Sequence, residues 1–184
     1  MRVETLIGGR NPQRSASIHI TRRINIRKSL LTLAVGVSLG ALTTLAAADE
    51  IDYPDGYRSW THVKSMTIHK GHPLETPFLG IHHVYANERA LHGLQSKHFA
   101  DGAMLVFDQL QSEDAGAASV EGDRVLIGVM LKDNARFPQT NGWGYQAWPK
   151  DSRSQRLVDD GGLSCHGCHI QQKDRDYVFS QWRD

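Results

Sequence analysis

Short hydrophobic runs, rich in β-branched and aromatic residues, recur along the chain after its first third. Each run is bounded by Gly, Pro, Asn or Asp, and this combination is typical of β-strands. The runs occupy residues 60–69, 78–86, 102–110, 124–131 and 143–148. They predict a mostly antiparallel sheet within a single domain.

Helical periodicity is rarer. In residues 88–97, Ala90, Leu91 and Leu94 share one face, and Asn87 can cap the first turn. Two further helices are predicted near the C-terminus, at residues 164–172 and 176–183.

Two polar segments are predicted as loops. Residues 49–58 contain Pro54 and Gly56, and residues 111–123 are acidic and rich in Gly and Ala. The expected fold class is therefore α+β, with a single domain that is mainly antiparallel β-sheet with a few helices.

Charge is distributed unevenly along the chain. The 184 residues carry a net charge of +1, which gives no reason to expect a nucleic-acid-binding surface. A basic cluster, however, precedes an uncharged stretch of small and aliphatic residues that begins at Leu30 and ends at Ala46–Ala48. The cluster consists of Arg22, Arg23, Arg27 and Lys28.

This order of basic, apolar and small residues is that of a secretory signal. Residues 1–48 are predicted to be a signal peptide cleaved near Ala48, and residues 49–184 the mature domain. A permanent membrane anchor is the alternative, because about 20 apolar residues can span a bilayer. The leading expectation is a periplasmic protein with no membrane attachment after cleavage.

Cys165-His166-Gly167-Cys168-His169 is a C-x-x-C-H motif, the attachment site of a c-type haem. On a helical turn, Cys165 and Cys168 can each form a thioether to the porphyrin, and His169 is then held under the iron as its proximal ligand. The predicted cofactor is therefore one covalently attached haem c. His166 is expected to point away from the iron and to be exposed.

Three other interpretations of the motif are open. A redox-active dithiol normally accompanies a βαβ pattern, which this sequence lacks. Zinc requires four ligands, and the adjacent Cys168 and His169 cannot easily both bind one tetrahedral ion. A structural disulfide would leave His169 without a role.

The segment after the motif bears on the sixth iron ligand. Only 15 residues follow His169, and none of them is Met or His. Small electron-transfer cytochromes usually take a downstream Met as the sixth ligand. An open axial site that binds small molecules is therefore expected.

Several segments together resemble the cytochrome P-460 and cytochrome c'-beta family. They are Trp60, FLGIHHVYANERA from Phe78, Phe99-Ala100-Asp101-Gly102, Met130–Phe137, Gly142-Trp143-Gly144-Tyr145, the C-x-x-C-H motif and Asp176-Tyr177-Val178-Phe179. The resemblance covers nearly all of residues 53–182. It implies a mainly antiparallel β-sheet protein of the periplasm, commonly a homodimer, with a five-coordinate c-haem on the motif histidine.

The family that the sequence resembles has two branches, which differ in the residues near the haem. In the P-460 branch a lysine is cross-linked to the porphyrin and a carboxylate helps to deprotonate hydroxylamine. Phe107 and Gly128 stand at the matching positions here, and strand alternation should aim Asp108 away from the face that Phe107 occupies. In the c'-beta branch two phenylalanines cap the haem, and Phe78 and Phe107 match them. Both could also be ordinary core residues.

His82 and His83 point to opposite faces if they lie on a strand. Counting from Phe78, His82 is the one that would face the haem pocket, as a hydrogen-bonding group or a sixth ligand. A structural histidine is the alternative. Arg124, Arg136 and Lys132 are candidate partners for the haem propionates. Lys132 could also take the place of the cross-linking lysine.

Three functions follow from these observations. The first is a cytochrome that binds nitric oxide or a similar small ligand at an apolar site, with one-electron exchange with a partner cytochrome as an addition. The second is an enzyme that oxidises hydroxylamine or nitric oxide. The third is an electron carrier with His82 as sixth ligand.

Overall fold

The computed structural model describes residues 50–183. Five strands form one sheet in the sequential order β1-β2-β3-β4-β5, and every neighbouring pair is antiparallel. The strands are β1 Thr61–Ile68, β2 Gly80–Ala86, β3 Met104–Asp114, β4 Ser119–Lys132 and β5 Trp143–Pro149. The predicted α+β fold is thus confirmed, because each strand overlaps one of the hydrophobic runs.

The predicted loop over residues 111–123 is wrong. β3 continues to Asp114 and β4 begins at Ser119, so a short turn closes a long hairpin. Glu113 pairs with Val120, and most side chains of this extension are exposed. Backbone hydrogen bonds extend the ladder past the core, where both faces are solvated and side-chain hydrophobicity no longer marks a strand.

Three α-helices lie between or after the strands: α1 Glu75–Phe78, α2 Glu88–Ser96 and α3 Leu163–His169. Three 3₁₀ segments cover Tyr57–Ser59, Pro138–Thr140 and Ile170–Arg175. The side chain of Asn87 accepts a hydrogen bond from the Ala90 N–H at 2.9 Å, which confirms the predicted cap of α2. Phe78 ends α1 and precedes β2, so its predicted place within a strand is wrong.

The predicted helix over residues 176–183 is also absent. Asp176 and Tyr177 adopt positive φ angles of 48° and 64°, and residues 178–183 have no regular structure. A helix cannot continue through two left-handed residues. The energetic reason is tertiary, because the Asp176 carboxylate binds three groups from other parts of the chain.

The sheet has two faces, each covered by its own core. The face that carries Leu105, Phe107 and Tyr145 packs against α2, α3 and the C-terminal segment, and we call it the α3 face. The opposite face carries Asp108 and Ile127 beneath the N-terminal loop, and we call it the Asp108 face.

Asp108 is fully buried and fastens the N-terminal loop to the sheet. Its carboxylate accepts hydrogen bonds from the Tyr57 hydroxyl at 2.6 Å, Arg58 Nη2 at 2.8 Å and Arg124 Nε at 2.9 Å. Burial disfavours the charged carboxylate, but the bonds from Arg124, Tyr57 and Arg58 outweigh burial and hold the pKa of Asp108 below its usual value.

The predicted signal peptide, residues 1–48, lies outside the described residues. Across residues 50–183, none of the helices is both long and apolar enough to cross a membrane.

Candidate functional site

The C-x-x-C-H motif forms α3, which packs against the sheet through Tyr145. Gly162 caps the start of the helix with a φ of 84°, and a Cβ atom there would lie 2.9 Å from the Tyr145 ring. The Asp160 carboxylate accepts hydrogen bonds from the Gly162 N–H at 2.9 Å and the Ser164 N–H at 2.8 Å. Glycine and this carboxylate therefore fix where the motif helix begins.

His169 is held in one tautomer by the backbone. Its Nδ1 donates a hydrogen bond of 2.8 Å to the Tyr177 carbonyl, which can only accept. Nε2 therefore carries the lone pair that an iron ligand needs. Burial lowers the pKa of His169, so the imidazole is neutral at pH 7.

Two aromatic rings flank His169. Tyr145 and Phe179 have ring centroids 5.1 Å and 5.0 Å from the imidazole. Cys165 is half-buried and Cys168 is exposed, on the same helix. These donors fit a c-type haem, since both thiols and the oriented Nε2 come from one short helix.

A partly buried ion pair positions the Tyr177 carbonyl, which holds His169. Asp176 Oδ1 accepts hydrogen bonds from Lys132 Nζ at 2.9 Å and Trp143 Nε1 at 3.2 Å, and Oδ2 accepts from the Phe99 N–H at 3.2 Å. The positive φ of Asp176 and Tyr177 then turns the Tyr177 carbonyl back toward α3. Asp176 was part of the family pattern, but nothing in the sequence showed that it anchors this turn.

Each predicted propionate partner has a contact within the protein. Lys132 is buried against Asp176, and Arg124 binds Asp108 and Asp151 on the Asp108 face. Arg136 donates to the Glu50 carbonyl at 2.7 Å. Lys132 is thus held in an ion pair, a poor state for a residue that would take over the cross-link.

His166 is buried, so its predicted exposure is wrong. Its Nε2 donates to Asn141 Oδ1 at 3.0 Å, and its Nδ1 accepts from the Tyr145 hydroxyl at 3.3 Å. The Tyr177 ring lies 4.8 Å away, centroid to centroid. The residue faces the sheet because it lies one helical turn from His169, and burial lowers its pKa.

The structure brings Phe78, Phe107 and His82 together. The Phe78 and Phe107 ring centroids are 5.6 Å apart, and the His82 ring is 4.6 Å from Phe107. In the sheet, Phe107 pairs with Gly128, which pairs with Ala147, two residues beyond Tyr145 on the same strand. All three aromatic side chains therefore belong to the α3 face, the face that carries the haem motif.

His82 is fully buried, and its Nε2 donates to the Phe78 carbonyl at 2.6 Å. Burial lowers its pKa despite that bond. His83 points to the other face, where it bonds Ser65 at 2.7 Å and Glu121 at 2.6 Å. The prediction that His82 and His83 point to opposite faces of the sheet is confirmed. The prediction that Asp108 points away from the face of Phe107 is confirmed as well.

Sequence reasoning missed Gln109, which is fully buried on the α3 face. Its Nε2 donates to the carbonyls of Pro77 and Leu79, both at 2.9 Å. Together with His82, Gln109 binds the carbonyls of residues 77–79, the segment that carries Phe78. Its position two residues after Phe107, on the same face, was the available signal.

Zinc and a redox-active dithiol both fit the cysteines less well. Among residues 50–183, no group of three or more His, Cys, Asp or Glu side chains could hold a metal ion, which disfavours zinc. Burial raises the pKa of the Cys165 thiol, whereas a redox-active dithiol needs a lowered thiol pKa.

A helix with two thiols and an oriented imidazole, packed on an antiparallel sheet, defines the chain as a haem-binding cytochrome. The family model described as Cytochrome P460 matches residues 54–180, and the chain belongs to that family. No curated protein matches the chain closely enough to count as a relative.

Proposed function

We propose that this cytochrome carries one c-type haem, attached through Cys165 and Cys168, and binds nitric oxide or a similar small ligand. A haem held there would supply an iron atom able to bind a diatomic molecule. His169 would bind the iron through Nε2, and the Tyr177 carbonyl would keep the imidazole ring in the required orientation.

The contact between Phe78 and Phe107 carries the proposal, because it makes an apolar wall on the face of the haem motif. Such a wall offers no proton acceptor and favours a neutral diatomic ligand. Gly128, opposite Phe107, adds no group either. A Cβ atom there would meet nothing closer than 3.7 Å, so the lack of a side chain is not forced by crowding.

A hydroxylamine-oxidising enzyme is the second candidate, because the resemblance to the P-460 branch implies that reaction. The resemblance places a cross-linked lysine where Phe107 stands and a proton-accepting carboxylate where Gly128 stands. Asp108 cannot supply the carboxylate, because it is buried on the other face among Tyr57, Arg58 and Arg124. The available residues therefore support ligand binding better than proton-coupled oxidation.

Spectra of the purified protein separate the candidates. We expect a pyridine haemochrome with two thioether links, an unshifted c-type ferrous spectrum, five-coordinate high-spin iron at rest, and tight nitric oxide binding. A ferrous spectrum shifted strongly to the red would indicate a cross-link and support the enzyme. Six-coordinate low-spin iron at rest would support His82 as a ligand, and absence of covalent haem would contradict the proposal.

Removing the Phe107 ring should open the ligand site. Phe107→Ala is expected to raise the association rate of carbon monoxide by about tenfold, equivalent to a barrier lower by about 1.4 kcal/mol. Stopped-flow mixing with the ferrous protein measures this rate. Val106→Ala on the same strand is the control, because Val106 faces the other side and should leave the rate unchanged. Equal rates in Phe107→Ala and the wild type would rule out the capping role.

We also propose that the protein is exported and loses residues 1–48. These residues have the order of a secretory signal, and they precede a domain with a C-x-x-C-H motif. The N-terminal sequence of the mature protein, expected near Asp49, checks this directly.

A further inference from the structure

Two buried acceptor atoms on the α3 face have no hydrogen-bond partner. They are His82 Nδ1 and Gln109 Oε1. Both side chains are at least 99% buried, with exposed fractions of 1% and 0%. Leaving such an atom unpaired costs about 1–3 kcal/mol, so a pair of them in one place needs an explanation.

The hydrogen bonds that these side chains do make fix their chemistry. His82 Nε2 donates to the Phe78 carbonyl, and the neutral imidazole therefore presents a bare lone pair at Nδ1. Gln109 uses its amide N–H groups on the Pro77 and Leu79 carbonyls, which leaves Oε1 as a free acceptor. Neither side chain can turn over without losing these bonds.

The two residues are also neighbours. His82 and Gln109 are cross-strand partners of β2 and β3, and partners in an antiparallel pair have Cβ atoms about 5 Å apart on the same face. Gln109 also lines the concave surface between α1 and the β3–β4 hairpin, together with Pro77 and Leu79.

We propose that His82 Nδ1 and Gln109 Oε1 form a binding site for one small, neutral hydrogen-bond donor, occupied by water in the resting protein. Two acceptors and no donor select a molecule with two hydrogens to give, and water commonly fills such places, with about three hydrogen bonds. A cation would be buried without a carboxylate partner, which is unfavourable.

The site lies next to the apolar wall formed by Phe78 and Phe107. The His82 imidazole lies against the Phe107 ring, with 4.6 Å between centroids, so the bound donor is close to the ligand site proposed above. The water site depends only on residues of the sheet and of α1, and it stands whether or not nitric oxide is the ligand.

A high-resolution crystal structure of the haem-loaded protein tests the site directly. One water peak is expected within hydrogen-bonding distance of both atoms. Gln109→Met should remove the peak, whereas Gln111→Met should keep it, because Gln111 lies on the same strand and is exposed. A wild-type structure with both atoms bare, or in direct contact with each other, would overturn the proposal.

A solution measurement covers the case in which Gln109→Met does not crystallise. In the ferrous carbonyl form, a nuclear Overhauser effect between a long-lived water and the His82 ring Hε1 proton is expected. The effect should be lost in Gln109→Met and kept in Gln111→Met. Its absence from the wild type, or its persistence in Gln109→Met, would count against the site.

Discussion

Asp108→Asn is expected to lower the free energy of unfolding by about 3 kcal/mol at pH 7, the low end of the range for breaking a buried ion pair. The amide keeps the shape of the side chain but loses the charge that three donors surround. Arg58 is half-exposed and water screens part of its loss, so most of the effect comes from Arg124, whose side chain is only 18% exposed.

The same substitution should change how stability depends on pH. The pKa of Asp108 is lowered in the folded state, so its contribution is fully present above the unfolded value of about 4. That contribution is lost as the pH falls through the lower, folded-state pKa. The difference between wild type and Asp108→Asn should therefore shrink at acid pH in urea titrations.

Asp123→Asn is the matched control for Asp108, because Asp123 is exposed on the neighbouring strand. It should change stability by less than about 0.5 kcal/mol. The haem spectrum of Asp108→Asn should equal that of the wild type, since Asp108 lies on the face away from α3. A stability loss no greater than in the control would show that the Asp108 cluster does not hold the N-terminal loop.

Asp176→Asn is expected to have two effects, one on stability and one on the haem. Lys132 would remain buried without its counter-charge, which should cost about 3 kcal/mol. The turn that presents the Tyr177 carbonyl to His169 Nδ1 should also loosen. A weaker bond at Nδ1 makes Nε2 a poorer donor to iron, and ferric iron is then less stabilised.

The reduction potential of Asp176→Asn should therefore rise, and the iron–histidine stretching frequency of the ferrous protein should fall. Redox titration and resonance Raman spectroscopy measure these quantities. A double variant, Lys132→Met with Asp176→Leu, removes both charges and should recover part of the stability but not the stretching frequency. Asp174→Asn, an exposed neighbour, is the control. An unchanged frequency in Asp176→Asn would show that the ion pair does not influence His169 as an iron ligand.

Local patterns were enough for most of the secondary structure. Runs of β-branched and aromatic residues, bounded by Gly, Pro, Asn or Asp, located all five strands, and Asn87 located the start of α2. The wrong predictions concern segments whose structure depends on contacts with distant residues. The hairpin beyond Leu110 is built by backbone pairing of polar residues, and the helix over residues 176–183 is prevented by the contacts of Asp176. Neither cause is visible in a window of neighbouring residues.

The candidate site divides in the same way. Spacing alone placed Cys165, Cys168 and His169 on one helix, because three- and four-residue intervals share a helical face. It could not place His166, whose burial depends on Tyr145 and Asn141 from another part of the chain. Strand parity put His82 on the side of Phe107, but the bond to the Phe78 carbonyl and the role of Gln109 needed the register of β2 with β3.

By itself, the sequence determined the strands, the motif helix and the side of the sheet on which Phe107 and His82 lie, because these follow from local periodicity. Only the tertiary structure decided which partners the buried polar groups bind. It put Lys132 on Asp176, Asp108 between two arginines and the His169 Nδ1 on the Tyr177 carbonyl. Most of these partners are far apart in the chain. Each pairing is required, because a buried polar group without its partner is costly.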